Sequence, residues 1–181
     1  MKSNLAKALK QVALGGVLAA AATGSFAATQ GTTGFTSTGT VDIDLTVADE
    51  VRIFDLVDIT LPFTGADVQG TSAACIYRNS GTTYTVTASG SGTAGAFTLE
   101  DFPLTNTVPY TVTWDDDGAG PGTPTAMTTG TALPADNAQG SPTTCASGPN
   151  ATIEVEVLAT DVVGLPADTY SGTLTLVVAP I

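Results

Sequence analysis

The stretch GTVDIDLTV, residues 39–47, alternates apolar and polar side chains with a period of two. This period is that of a β-strand with one apolar face, which here carries Val41, Ile43, Leu45 and Val47. Burial of four aliphatic side chains would contribute about 6–12 kcal/mol, which is comparable to the net stability of a small domain. No hairpin turn directly precedes the stretch, so its partner strand must come from elsewhere.

The first residues have the composition of a secretory signal peptide. Lys2, Lys7 and Lys10 precede a short apolar run, and small residues follow that run up to Ala27. The run is about a dozen residues long, which is too short to span a membrane as a helix. We therefore predict that residues 1–27 are removed on export and that the remaining chain forms one domain of ordinary size.

Charge limits the partners of the exported chain. After loss of the leader, two arginines stand against 17 acidic residues, which gives a net charge of −15, and the sequence contains no histidine. Such a surface repels nucleic acid and anionic lipid, so we expect neither as a partner. Because the usual bases for a serine or cysteine nucleophile are missing, we expect no enzymatic activity and assign no cofactor.

Two cysteines, Cys75 and Cys145, are present in the sequence. In an exported chain two cysteines allow a single bridge, so we predict a disulfide between them; the alternative is two buried free thiols. Closing a loop of about 70 residues would contribute roughly 4 kcal/mol to stability in the chain-entropy model.

Short β-strands account for most of the remaining sequence. Thr, Val, Gly and Ser dominate, and no sustained helical spacing of apolar residues follows the leader, so we predict no helix. Short strands separated by Gly, Pro, Asn and Asp are typical of an antiparallel sandwich or barrel. The predicted strands are residues 38–48, 51–61, 72–77, 82–89, 96–99, 108–114, 151–159 and 169–179. Residues 115–150 are predicted to form a long surface excursion with one short strand around residues 125–129.

An acidic run lies at the start of this excursion. Asp115, Asp116 and Asp117 offer carboxylates that could bind calcium, but their spacing is not that of an EF-hand loop. Three consecutive acids after a strand more often form a solvated turn, so we assign no metal site. Acids that alternate along a strand, such as Asp42 and Asp44, are likewise expected on the solvated face of a sheet.

Four stretches, taken in order, resemble the subunits of archaic chaperone-usher pili, which share the spore coat U type of domain. Residues 38–47 (TGTVDIDLTV) are similar to the donor segment of these pilins, and residues 75–90 (CIYRNSGTTYTVTASG) to their cysteine strand, turn and following strand. Residues 108–116 (VPYTVTWDD) resemble a strand before an acidic turn, and residues 166–178 (PADTYSGTLTLVV) the final strand. The family commonly places its first cysteine just after the donor segment, where this sequence has none, so the predicted bridge is not taken from the resemblance.

The resemblance implies an all-β fold, namely an immunoglobulin-like β-sandwich that lacks one strand and is completed by a donor strand from a neighbouring subunit. Residues 28–48 would be the donor segment, and residues 49–181 the pilin domain. The donor strand would fill the groove of the neighbour with Gly39, Val41, Ile43, Leu45 and Val47. The groove would lie beside the final strand, whose apolar residues share one parity: Tyr170, Leu174, Leu176 and Val178.

The same resemblance implies partners and a location. The chain would join copies of itself or other pilus subunits head to tail, after a periplasmic chaperone has lent the missing strand and an outer-membrane usher has catalysed the exchange. The product would be an extracellular pilus, or fimbria, that supports surface attachment or biofilm formation. Two alternatives stay open: a self-contained secreted sandwich that binds carbohydrate or calcium, in which residues 38–47 pair within their own sheet, and a surface-layer or matrix protein that assembles through its faces.

Overall fold

The computed structural model describes residues 28–117, 123–141, 143–145 and 147–181. The predicted signal peptide, residues 1–27, lies outside the described residues. The chain divides into two compact units, Met1–Thr46 and Val47–Ile181.

The N-terminal unit contains an isolated antiparallel bridge between Thr29 and Thr40, whose two backbone N–H···O bonds both measure 3.0 Å. Gly39 lies beside this bridge, where a Cβ atom would come within 3.0 Å of the carbonyl oxygen of Thr29. Residues 41–50, which continue into the second unit, form no strand. The strand predicted over residues 38–48 is therefore absent from the isolated chain, because an extended segment becomes a strand only beside a partner that bonds its backbone.

The second unit is built almost entirely from β-strands, and the predicted all-β fold class is confirmed. Its described residues form β1 (Val51–Phe54), β2 (Val68–Arg78), β3 (Tyr84–Gly90), β4 (Thr98–Glu100), β5 (Thr107–Pro109), β6 (Thr111–Asp115), β7 (Thr125–Ala126), β8 (Ala132–Ala135), β9 (Ala151–Val157), the helix α1 (Ala159–Val162) and β10 (Leu174–Pro180).

Two antiparallel sheets face each other across one core. The first has the strand order β1-β2-β9-β6-β7 and the second the order β10-β3-β8, while β4 and β5 form a separate two-stranded ribbon. Along β9 every second side chain is buried, as expected of a strand with one face on the core. The largest buried side chains come from both sheets and form one cluster, with Trp114 of β6 and Ile153 of β9 on one side and Tyr84 of β3 on the other. The protein is therefore an all-β sandwich.

A disulfide joins Cys75, which is buried in β2, to Cys145. The two Cα atoms are 6.0 Å apart, within the usual range for a bridge. This is the pairing that the sequence predicts, and it ties the end of the excursion to the first sheet.

The predicted strand over residues 51–61 ends early, at Phe54. Asp55 has a φ angle of 63°, in the left-handed region, which turns the chain out of the β conformation. The predicted strand over residues 108–114 is also interrupted, because Tyr110 donates its N–H to the carbonyl of Phe97 at 3.0 Å while β5 and β6 pair with different sheets.

The prediction of a mostly irregular excursion over residues 115–150 is wrong for part of its described length. After β7, Met127 is buried and donates its N–H to the carbonyl of Val112 at 2.9 Å. Strand β8 then pairs with β3 in the second sheet, so the excursion crosses from one sheet to the other. The sequence does not predict this part because its core residues are small or isolated, so that large apolar side chains do not alternate along it. These core residues are Met127, Ala135 and Ala138.

The prediction of no helix fails at α1, a single turn of four residues that follows β9. The side chain of Asp67, distant in sequence, accepts a hydrogen bond from the N–H of Ala159 at 2.7 Å and so satisfies a free donor at the start of the helix. Within the described part of the chain, no helix has the length and apolar composition required to cross a membrane.

Candidate functional site

Strand β10 forms one edge of the second sheet. It pairs with β3 along its full length, from Leu174 opposite Gly90 to Pro180 opposite Tyr84, and no other described strand joins its sheet on the far side. In an antiparallel pair, alternate residues direct their backbone N–H and C=O groups away from the partner. The far side of β10 therefore presents unpaired backbone groups along seven residues.

An apolar groove of about 410 Å³ lies beside this edge. One wall is formed by Leu174 and Leu176 of β10, and the other by the apolar residues of the segment after β1. These residues are Leu56, Val57, Ile59 and Leu61, of which the first two are exposed. The groove thus separates β10 from the chain that continues β1, as a missing strand between them would.

The second wall, residues 56–61, is attached to β2 without a backbone ladder. The N–H of Val57 donates to the hydroxyl oxygen of Ser72 at 2.9 Å, so a side chain replaces the carbonyl that a regular strand would offer. Further along, Ile59 and Leu61 pack over Gly70 so closely that a Cβ atom there would lie 2.5 Å from Ile59 Cγ2. Side-chain contacts therefore hold the wall in place, although its backbone pairs with none of the strands β1 to β10 in the described structure.

The floor of the groove belongs to the core. Ile153 and Val155 of β9 reach it from the first sheet, and it is completed by Leu99 of β4 and by Tyr110, the residue between β5 and β6. Burial raises the pKa of the Tyr110 phenol above its ordinary value, as expected of an apolar floor. A segment laid in the groove would therefore meet apolar side chains below it and unpaired backbone groups beside it.

We call residues 28–47 the arm. Its four alternating apolar residues are all exposed, with exposed fractions of 75% for Val41, 90% for Ile43, 86% for Leu45 and 73% for Val47. A surface of this kind is unusual for a folded protein, and apolar residues in alternation are the pattern of a strand that awaits a partner.

The root of the arm, residues 48–50, is held by the end of β2. Asn79 Nδ2 donates to the carbonyl of Ala48 at 2.7 Å, and the N–H of Glu50 donates to Asn79 Oδ1 at 2.9 Å. Arg78 binds both carboxylate oxygens of Asp49, through Nη2 at 2.6 Å and Nε at 3.2 Å. The hydrogen bonds from Arg78 hold the pKa of this carboxyl below its ordinary value.

Arg78 is only 6% exposed although it carries a charge. Besides Asp49, its guanidinium donates to the backbone carbonyl and the hydroxyl of Thr83, and to the carbonyl of Ile181 at 2.6 Å. One side chain thus connects the root of the arm, the turn into β3 and the end of β10.

The acidic turn after β6 uses its oxygens within the protein. Asp115 Oδ1 accepts the N–H of Asp117 at 2.9 Å, and Asp116 Oδ2 accepts the N–H of Asp136 at 2.7 Å. Among the described residues, one group of possible metal ligands lies close together, formed by Asp55 with Cys75 and Cys145. Because the two sulfur atoms are bonded to each other, this group offers no thiolate and the structure gives it no metal-binding chemistry.

The structure brings some of the predicted groove residues together and not others. Leu174 and Leu176 line the groove, whereas Val178 and Tyr170 pack against the core outside it. The hydroxyl of Tyr170 donates to the carbonyl of Pro166 at 3.0 Å. The wall at residues 56–61 is not predicted from the sequence, because the alternation of Val57, Ile59 and Leu61 predicts only a strand that continues β1.

No protein-family model matches the sequence. No curated protein matches it either. Among solved structures, the chain is similar to one from a chaperone–tip adhesin complex described as vital for synergistic activation of CFA/I fimbriae biogenesis, with 18% sequence identity and a TM-score of 0.48. The match covers 72% of this chain and 42% of the other, so the present chain spans less than half the length of the solved one.

Proposed function

We propose that the protein is a structural subunit of an extracellular pilus and that it polymerises by donor-strand exchange. In this proposal the arm of one copy lies in the groove of the next. The observation that carries the proposal is that one chain has both an apolar groove beside an unpaired strand edge and an exposed segment of alternating apolar residues.

The two features match in chemistry and in length. The free edge of β10 spans seven residues, and the apolar alternation of the arm spans residues 41–47, which is also seven. Strand addition would give backbone hydrogen bonds to the edge, while alternate side chains of the arm enter the groove and the others face solvent. The polar parity of the arm carries Asp42, Asp44 and Thr46, as an outward face requires.

A contact in which a segment of one copy fills a cleft on the next is heterologous. Each copy then keeps one arm and one groove free, so that the contact repeats and a fibre grows. A self-contained sandwich would instead need residues 38–47 as a strand of its own sheet, and residues 41–47 are assigned to no strand.

Before assembly, the open edge and the groove would favour aggregation. We therefore propose a periplasmic chaperone that occupies the groove temporarily and an outer-membrane usher at which the arm of the next subunit replaces the chaperone. Attachment to surfaces or biofilm formation would be the role of the finished fibre.

The test compares two substitutions at neighbouring positions of the arm in the full-length protein. Leu45→Asp would place a charge in a dry groove at a cost of several kcal/mol and should abolish polymers, whereas Thr46→Asp, on the opposite parity, should polymerise like wild type. Polymers are read as a ladder in detergent without heating and as fibres in electron micrographs.

Normal fibres from the Leu45→Asp protein would refute donor-strand exchange and favour assembly through faces, as in a surface-layer protein. A wild-type protein that stays monomeric at high concentration would favour the self-contained sandwich.

A further inference from the structure

We infer that Arg78 and Asn79 form a clamp that fixes the root of the arm to the β-sandwich, which we call the body. Consecutive copies in the fibre would then be joined by a short, stiff connection and not by a flexible linker. This inference rests on the proposed function, since it concerns the joint between two copies of this chain. It assigns a role to the turn sequence RNSG at residues 78–81, which the donor strand and the groove do not explain.

The clamp acts on three consecutive residues. Asn79 binds the carbonyl of Ala48 and the N–H of Glu50 with its side chain, and its own N–H donates to the carbonyl of Glu50 at 3.2 Å. Arg78 binds the intervening Asp49 through two nitrogens, a geometry that fixes orientation as well as distance. Residues 48–50 thus have contacts on both side chain and backbone although they belong to no strand.

The clamp is itself held firmly. The Arg78 guanidinium also binds Thr83 and the carbonyl of Ile181, and the backbone N–H of Arg78 donates to the carbonyl of Gln139 at 3.1 Å. A buried arginine with this many partners has little freedom to move, because each motion would leave a buried donor unpaired. The root therefore moves with the body.

The length of free chain between arm and body follows directly. Val47 is the last residue whose side chain would enter the neighbouring groove, and Ala48 already accepts a hydrogen bond from the clamp. One residue spans at most about 3.6 Å, so the body of the donor copy must lie against the end of the groove that it fills. Two bodies joined this closely can adopt few relative orientations, which makes the fibre stiff.

The experiment measures fibre stiffness and root mobility in parallel. Two variants disturb the joint in different ways: Asn79→Ala removes both side-chain contacts to the root, and insertion of Gly-Ser-Gly-Ser between Val47 and Ala48 lengthens the connection with the clamp intact. Ser80→Ala, in the same turn, is the matched control. Both joint variants should still polymerise, but their persistence length in electron micrographs should fall at least about twofold, while that of Ser80→Ala stays at the wild-type value.

Hydrogen exchange supplies a second readout that needs no fibre. In a chain kept monomeric by Leu45→Asp, Asn79→Ala should speed amide exchange at residue 50, whose N–H donates to Asn79 Oδ1, by about tenfold and leave β3 unchanged. Fibres that form normally with unchanged stiffness in both joint variants, or unchanged exchange in Asn79→Ala, would overturn the clamp while leaving the proposed function intact. Wild-type protein that forms no fibre would refute the proposed function and the joint together.

Discussion

Gly70 shows how a single missing side chain shapes the groove. A Cβ atom at this position of β2 would lie 2.5 Å from Ile59 Cγ2 and 2.8 Å from Leu61 Cδ2. Both atoms are ends of side chains that line the groove, so they would have to turn away from the added methyl group. The absence of a side chain at Gly70 therefore allows the wall to lie close to β2 and sets the width of the groove.

We expect Gly70→Ala to fold, to lose about 1–3 kcal/mol of unfolding free energy through overpacking, and to polymerise more slowly because the wall is displaced. Gly140→Ala is the matched control, since nothing lies within 4 Å of a Cβ atom there. The unfolding free energy is measured by urea unfolding of each glycine variant combined with Leu45→Asp, which keeps the chain monomeric. The growth rate is measured by light scattering of each glycine variant without Leu45→Asp. Equal growth rates for the two alanine variants would show that the wall at residues 59–61 does not contact the arm.

Asp101 stabilises the loop between β4 and β5 through its carboxylate. Its oxygens accept the N–H groups of Asn106 at 2.9 Å and Thr105 at 2.7 Å, together with the side-chain amide of Asn106 at 2.6 Å and the hydroxyl of Thr105 at 2.9 Å. The backbone and side-chain hydrogen bonds from Asn106 are the main cause that lowers the Asp101 pKa to about 2.

The pH dependence of stability follows from this lowered pKa. The native carboxyl titrates near 2 and the unfolded one near 3.8, so the stabilisation is fully present above the unfolded value and is lost as the pH falls through the native one. Asp101→Asn should be less stable than its parent at pH 7, and the difference should shrink as the pH falls below 3.8 and vanish only below about pH 2. Urea unfolding of monomeric Leu45→Asp chains at several pH values measures this, with Asp44→Asn as a control on the arm. A difference that stays the same from pH 7 down to pH 2 would mean that the carboxylate charge is not the cause.

At the scale of elements, the arm and β10 would form one strand pair in the proposed fibre. Residues 41–47 of the arm expose four apolar side chains and belong to no strand, and β10 has a free backbone edge beside apolar walls. Neither element needs the other for its own fold, because β10 is already paired with β3 and the sandwich core is built from β2, β3, β6 and β9. This independence would allow another copy to supply the arm in the proposed fibre.

Deletion of residues 28–47 should leave a subunit that accepts a strand but cannot donate one. When it is added to growing wild-type fibres, its groove should bind the free arm at one fibre end and stop growth there. The fibres should therefore become shorter in proportion to its share of the mixture. Full-length Leu45→Asp should act as the same kind of terminator, since its groove is intact, whereas Thr46→Asp should not. Fibre length distributions in electron micrographs decide the outcome, and unchanged lengths in the presence of the deletion variant would argue against a shared groove.

At the scale of the whole molecule, charge opposes self-association. The full chain carries a net charge of −12, and removal of the predicted leader makes it more negative because the leader contains three lysines and no acid. Copies that meet head to tail, as the proposed function requires, would therefore repel one another at long range, although the proposed contact itself is apolar.

Polymer growth should therefore accelerate as salt is raised from about 10 mM to about 150 mM, where the screening length falls from about 30 Å to about 8 Å. The double variant Glu154→Gln/Glu156→Gln, which removes two outward charges from β9, should show a shallower dependence. Initial rates from light scattering measure both. Growth that slows with added salt would instead show that complementary charges draw the copies together.

The local sequence pattern predicted the strands but not the groove. The period of two in residues 82–89 and 151–159 predicted β3 and β9 to within one or two residues, because each strand has one face on the core and records it in its own sequence. The residues that line the groove were only partly predicted. Leu174 and Leu176 were found by parity, but the opposite wall depends on the turn at Asp55 and on Gly70, which meet only through the fold.

By itself, the sequence determined the all-β class, the pairing of the two cysteines and the apolar face of residues 41–47, since composition and side-chain alternation are properties of neighbouring residues. Only the tertiary structure decided that β10 is an edge, that the chain after β1 stands apart from it and that Arg78 and Asn79 hold the root of the arm. Each of these depends on segments far apart in sequence meeting in space, and a period of two does not specify which strand will be the neighbour.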